Sequence, residues 1–415
     1  MGISKERLLQ MNKDAANAYY LNLIKGQDKS GLAYFVRERQ LTPQTLKSYG
    51  LGYAPNSDWT FLIRELQKKG YSKEEMIEGC LARVSEKNGK MYDYFHNRVM
   101  FPIVDTKGDV IGFGGRVLDD STPKYLNTGV TVAFDKGSNL FSLNNARDSK
   151  ADALVLCEGY MDVIAMNQAG FTEAIATLGT AITANQARLI SLYADEVIIS
   201  YDNDEAGAKA KRKAIELLSD AGVKTRVLNM DGAKDPDEYI KKFGKEAFQK
   251  LLDNAEPSFD YTLRICEQTM NMSYETSRQE LAERICKPLS MLPPVEKTAA
   301  MEYLKQKYDI EFDMNREQAI ADLPPLDAET MEQVCPSNEY QKMAQRMPDT
   351  PIHQCGLPEW MSDAFGMSGF PTIGEAMSLS FDELKIVFEG DMEILRDVCD
   401  TFGMPFGETH GGLDE

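Results

Sequence analysis

Three acids stand out by type and spacing. Glu158 closes the short apolar run ALVLCE (153–158), while Asp202 and Asp204 end EVIISYDND (196–204), spaced i, i+2 around Asn203. Carboxylates gathered without cationic partners repel one another, and a hard divalent ion removes that repulsion. Magnesium suits such a set, because it takes one or two carboxylates and keeps waters and substrate phosphates as its other ligands; manganese is the alternative occupant. Two such ions roughly 3.5–4 Å apart can activate an attacking hydroxyl and stabilise the leaving oxygen of a phosphoryl displacement. A lone Asp-x-Asp more often caps a helix or sits in a solvated turn. Its conjunction with Glu158 at a matching strand end favours the metal reading. DPDEY (235–239) follows the next apolar run, which places Asp235 and Asp237 at the same edge, although by itself that segment reads as a capped helix start.

The elements that must position these acids can be read between residues 150 and 250. Apolar runs at 153–158, 173–177, 196–204 and 224–230 alternate with helical stretches to Ala169, from Thr183, and over 205–222. Continuously apolar strands separated by helices imply a parallel sheet covered on both faces, an α/β fold. Ligands of such sheets sit at the carboxyl ends of the strands, which is where all three acids fall. Residues 5–145 mix patterns: helical periodicity over 5–25 and 60–78, then RVMFPIVD (98–105) and DVIGFGGRVL (109–118) joined by a Lys-Gly turn, a hairpin. Gly112, Gly114 and Gly115 inside its second strand predict close backbone approach or a bulge. Residues 255–312 read as helical throughout. Beyond about 323 the chain is acidic and Met-rich, with one amphipathic stretch over 381–403.

The formal net charge of −19 is unevenly distributed. Residues 1–150 carry +5 and residues 316–415 carry −15, so the front half suits a polyanion and the tail does not. No apolar run approaches the roughly 20 residues of a membrane span, and the N-terminus lacks the apolar core of a secretory signal. Seven scattered cysteines without a CxxC pair read as reduced thiols in a cytoplasmic protein. Cys335, His353 and Cys355 lack zinc-ribbon spacing, so no zinc is expected in this chain.

CEGYMDVIAMNQAGF, ATLGTAIT, SYDNDEAGAKA and KDPDEYI, in that order over roughly 100 residues, resemble the Toprim module of bacterial-type replicative primases. RERQLTPQTLKSYGLGYAP (37–55), FHNRVMFPIVDTKGDVIGFGGRVL (95–118) and PKYLNT (123–128) are similar to that family's RNA-polymerase core, and 255–312 fits the core's third part. The resemblance implies four regions: an α+β N-terminal subdomain (1–148), a Toprim catalytic subdomain (149–250), a helical subdomain (251–315) and an acidic partner-docking region (316–415). It implies metal-binding acids at Glu158, Asp202 and Asp204, with Asp162, Asp235 and Asp237 as a second acidic set. Arg98, Arg116, Lys124, Asn127 and Lys136 match positions lining the family's groove for template and nucleoside triphosphate.

The implied activity is synthesis of RNA primers on a single-stranded DNA template from ribonucleoside triphosphates, with a replicative helicase as partner. The family usually begins with a zinc-binding module, so the expectation is either that initiation needs a separate one or that this chain is one piece of a split or truncated protein. Tyr34, Phe35, Tyr49, Tyr53, Tyr92, Tyr94 and Phe95 could stack on bases, though aromatics in such positions are more often core. A Toprim nuclease and a non-catalytic accessory docking on a helicase are the competing readings. Intact acids argue against the accessory.

Overall fold

Ser4 opens the first helix, α1 (Lys5–Lys25): its side chain accepts the Arg7 N–H, and Leu8, Met11, Ala15, Tyr19 and Leu23 form the buried stripe. The computed structural model describes residues 2–149, 151–179, 181–202 and 204–312, together with Leu357, Met361, Ala364, Phe365, Thr372, Ala376, Leu379, Leu384, Val387 and Val398. Cys335, His353, Cys355 and the rest of the 381–403 stretch lie outside the described residues. Helix α2 (Ser30–Ala33) runs into one wide turn over Tyr34–Glu38, and α3 (Pro43–Ser48) leads into β1 (Gly52–Ala54).

The helix expected over 60–78 is two, α4 (Phe61–Lys68) and α5 (Lys73–Glu78). Gly70 at φ +83° breaks the run, and Ser72 and Glu75 restart it with a reciprocal capping box. A small hairpin, β2 (Ala82–Val84) and β3 (Met91–Asp93), precedes β4 (Arg98–Val104), β5 (Val110–Val117) and β6 (Tyr125–Asn127). These build an antiparallel sheet in the order β1-β4-β5-β6, with Phe101 opposite Gly114 and a register shift at Ile103/Val104. The glycines of β5 meet close neighbours: a Cβ on Gly114 would lie 2.5 Å from Tyr160 and one on Gly115 2.9 Å from Phe95.

Short α6 (Leu143–Ala146) connects to the second sheet. There β7 (Leu154–Cys157), α7 (Tyr160–Ala169), β8 (Ala174–Ala176), α8 (Ala184–Ser191), β9 (Glu196–Ser200), α9 (Glu205–Asp220) and β10 (Lys224–Val227) follow in turn. Helices α10 (Pro236–Phe243) and α11 (Lys245–Asp253) and edge strand β11 (Glu256–Pro257) complete it. The order is β11-β10-β9-β7-β8, parallel except at β11. Strand β9 stops at Ser200, short of the expected 204, which frees Asp202 and Asp204 from the ladder.

Alternate residues of β7 enter opposite cores. Leu154 and Leu156 pack with Ile190 of α8 and Leu218 of α9. Val155 and Cys157 pack with Phe101 of β4 and Ile164 of α7. One core is thus shared between the two sheets, and a bridge between Phe141 and Ala176 joins their backbones. The segment expected to be helical over 255–312 holds β11 and three helices, α12 (Ser258–Thr269), α13 (Glu275–Ser290) and α14 (Pro294–Tyr308), around Phe259, Leu281, Ile285 and Leu304. Phe365, Leu384 and Val398 are buried in the cluster that holds Leu218 and Tyr261.

Candidate active site at the carboxyl edge of the parallel sheet

Glu158 follows β7 directly, and Asp202 lies two residues past β9. The backbone N–H of Asp202 donates to Glu158 Oε1 at 3.1 Å. Asp204 is the N-cap of α9, its Oδ1 accepting the Gly207 N–H at 2.7 Å. A Cβ on Gly207 would lie 2.1 Å from the Asp202 carbonyl oxygen, so only glycine fits this turn. Asp235 caps α10 by accepting from the Glu238 N–H at 2.8 Å. Lys234 Nζ stands 3.5 Å from Asp202 Oδ2.

These acids strain one another electrostatically. Burial, then the charge of Asp202, push the Glu158 carboxyl up, and Asp204 adds to the push. Burial raises Asp202 too, with Lys234 opposing and Asp235 and Asp204 reinforcing. Half-buried Asp162, in the first turn of α7, is held well above the usual carboxylate range by burial and by Asp235, Asp202 and Asp237. The donors are hard oxygens with surplus negative charge, which fits a hard divalent cation. Among the described residues no three acid, imidazole or thiol side chains converge tightly enough to enclose an ion unaided. Waters and substrate phosphates would therefore complete the shell, as magnesium ordinarily accepts.

Asp237 departs from the expected second acidic set. It is 4% exposed and pairs with Arg39 at 3.0 Å and Lys241 at 2.8 Å, an anchor already neutralised by two cations. Through Arg39 it ties the second sheet to the first unit. Arg39 Nε donates to the Tyr34 hydroxyl at 2.8 Å, and the Arg116 guanidinium lies over the same ring, 4.6 Å from its centroid. Arg116 Nε is buried and has no hydrogen-bond partner among the described residues. The Tyr125 hydroxyl is pushed up to about 12, chiefly by burial, with Tyr34 and Asp162 raising it and Arg116 and Arg39 opposing. The basic surface and the acid edge meet at this cluster.

Arg98 does not line a groove. It is 6% exposed, and its guanidinium donates to the carbonyls of Gly115, Pro123 and Lys124 at 2.8–3.2 Å. Lys124 and Lys136 are exposed, while Asn127 accepts from the Tyr160 hydroxyl at 2.7 Å and donates to the Leu178 carbonyl at 2.6 Å. Of the seven aromatics weighed as base-stackers, all but Tyr92 are buried. Tyr92 adjoins a different pair: Trp59, 49% exposed, stacks on His96 with ring centroids 4.0 Å apart.

Sequence reasoning passed over Trp59, Arg39 and Lys211 as site residues. Lys211 is 3% exposed, inside α9, and faces the charges of Glu158, Asp202 and Asp204. Its signal was present: a lysine on the apolar face defined by Gly207, Ala214 and Leu218. Trp59 had a weaker one, a tryptophan in a polar loop. Arg39 had only its interleaving with the front-half aromatics, because its partner Asp237 is 198 residues away.

Comparison with known proteins places this geometry. Residues 18–147 match the family model described as "DNA primase catalytic core, N-terminal domain", and residues 155–240 match the one described as "Toprim-like". A DNA primase of Clostridium acetobutylicum is 41% identical over 323 residues, covering 78% of this chain and 52% of the relative. One of Synechococcus elongatus is 36% identical, covering 70% and 43%. The chain thus spans about half the length of the curated relatives it matches. Among solved structures, the Escherichia coli primase catalytic core is 31% identical with a TM-score of 0.65, covering 74% of this chain and 99% of that one. A DnaG primase catalytic domain bound to single-stranded DNA is 30% identical with a TM-score of 0.64, covering 73% and 99%.

Proposed function

Because this chain belongs to the family of bacterial DnaG-type primase catalytic cores, we propose that it synthesises short RNA primers on single-stranded DNA by nucleotidyl transfer. The observation that carries this reading is the junction just described: an acid edge beside a cluster of arginines. Glu158, Asp202 and Asp204 are the residues that would hold magnesium, or manganese in its place. When bound, the metal supplies Lewis acidity to the reacting hydroxyl and α-phosphate and neutralises the departing pyrophosphate.

The protein's own groups do the rest by positioning and charge. The half-buried guanidinium of Arg116 can donate to a phosphate oxygen, and Arg39, anchored on Asp237, fixes the Tyr34 ring beneath it. Exposed Lys124 and Lys136 draw the polyanions in. Trp59, with His96 and Tyr92, offers a face on which an unpaired template base can stack. Sequence fidelity comes from base pairing, so no side chain needs to read the template. The four regions drawn from the sequence, a replicative helicase as partner and a cytoplasmic setting belong to the same proposal. No helix among the described residues is long and apolar enough to cross a membrane.

The test is ribonucleotide incorporation on single-stranded DNA in the presence of magnesium, with and without an annealed oligonucleotide. Metal-dependent synthesis supports the proposal, and synthesis only with the oligonucleotide would show that these residues elongate a primer but do not start one. Cleavage of the template instead would establish the nuclease reading, and no product from folded protein would favour the accessory one.

A further inference from the structure

We propose that the buried ammonium of Lys211 is a built-in counter-cation that balances Glu158, Asp202 and Asp204 in the metal-free protein and thereby limits how tightly they bind a divalent ion. This deepens the metal reading above and rests on it.

Lysine is almost never fully buried unless paired, yet Lys211 is 3% exposed in the middle of α9. It lies two turns beyond Asp204, the N-cap, and helical side chains lean toward the N-terminus. Its long stem therefore runs back toward the acids, over the face where Gly207, one turn earlier, has no side chain. The electrostatic neighbours agree with that path. Burial weakens the hold of Lys211 on its proton, and Glu158, Asp202 and Asp204, in that order, offset part of that loss. The cation that works against them, Arg264, is itself held by Glu256 through hydrogen bonds of 2.9 and 2.6 Å. Lys234 also meets Asp202, but from the exposed side. Among the described residues, Lys211 thus meets the acid edge from the interior and Lys234 from the exposed side.

Two consequences follow from the signs of the charges. Without metal, Lys211 relieves the repulsion among the acids. With metal, it repels the incoming dication, and a unit charge about 10 Å from a divalent ion weakens affinity by roughly fourfold at bulk-water screening and by more than about a hundredfold at an effective dielectric of about 20, with about tenfold lying between. A lysine that only filled core space would do neither.

The experiment measures manganese binding to the full chain by electron paramagnetic resonance for wild type, Lys211→Met and Lys211→Arg, with thermal melts in chelator and in saturating manganese. Lys211→Met is expected to bind manganese about tenfold tighter, and Lys211→Arg to match wild type. The methionine variant should melt below wild type in chelator, with the gap closing or reversing in manganese. Unchanged or weaker manganese affinity, or an equal loss of melting temperature under both conditions, would overturn the proposal while leaving the metal site standing. Wild type that binds no manganese would overturn the metal reading itself. Lys211→Gln, polar but uncharged, gives the same comparison should the methionine variant not fold.

Discussion

A single methyl group at Gly114 should wedge the two sheets apart at the site. A Cβ there would lie 2.5, 2.6 and 2.7 Å from Cζ, Oη and Cε2 of Tyr160, whereas ordinary contact begins near 3.4 Å. The tyrosine would have to retreat by about 1 Å, the shortfall between those two distances. It has little room. Tyr160 is 4% exposed, parallel to Phe101 at 4.9 Å and edge-on to Phe141 at 4.8 Å, and its hydroxyl is bonded to Asn127. Overpacking of this kind costs about 1–3 kcal/mol, and losing the Asn127 bond adds about 1 kcal/mol. Gly114→Ala is therefore expected to lower stability by about 2–4 kcal/mol. Urea unfolding of Gly114→Ala, Tyr160→Leu, Tyr160→Phe and the double variants measures it. Leucine removes all three clashing atoms, so Gly114→Ala/Tyr160→Leu should be no less stable than Tyr160→Leu alone. Phenylalanine keeps Cζ in place and should give no rescue. A Gly114→Ala penalty under about 0.5 kcal/mol, the scatter of surface substitutions, or full additivity with Tyr160→Leu, would show that Tyr160 does not block a side chain at position 114.

Three further outcomes follow from the same geometry. Arg98→Met should cost about 2–4 kcal/mol of stability by removing three hydrogen bonds from a buried guanidinium, whereas Lys124→Ala should leave the melting temperature unchanged and reduce the salt slope of single-stranded DNA binding by about 0.7; equal stability losses would contradict this division. Trp59→Ala should weaken single-stranded DNA by about 1–3 kcal/mol without affecting magnesium-dependent nucleotide binding, checked by fluorescence anisotropy at fixed salt. Asp93 is buried, and although it accepts the N–H groups of Leu62 and Ile63, burial raises its carboxyl to about 7. The folded state then binds the proton more tightly than the unfolded chain, so its contribution to stability is fully present below about pH 4 and is lost as pH rises to about 7. Wild type minus Asp93→Asn stability, measured by urea unfolding from pH 4 to 8, should fall over that window; a flat difference would contradict the assignment.

The parallel sheet was legible because its strands are buried on both faces, which leaves apolar runs such as EVIIS with no competing interpretation. The acids at its edge were legible for the same reason: once the strand ends are placed, topology places Glu158, Asp202 and Asp204. Boundaries were harder. Residues 60–78 kept helical periodicity through Gly70, and only backbone geometry shows that Ser72 begins a second helix. Side-chain use was hardest of all. Arg98 and Arg116 flank the same hairpin, yet one is buried against carbonyls and the other lies over the Tyr34 ring. Asp237 looked like a further ligand because its two cations include Arg39, which sequence distance hides. Charged residues carry no pattern that says whether a partner awaits them inside the fold, and long-range pairing decides it.

The central claim is that the edge formed by Glu158, Asp202 and Asp204 performs magnesium-dependent nucleotidyl transfer. Extension of an annealed oligonucleotide by ribonucleotides should be compared, in single turnover, for wild type, Glu158→Gln, Asp202→Asn and Asp204→Asn. Each variant is predicted to lose at least about 100-fold in rate, as expected when electrostatic stabilisation of the reacting groups is removed, with DNA binding retained. Extension at wild-type rate by any of the three would contradict the account.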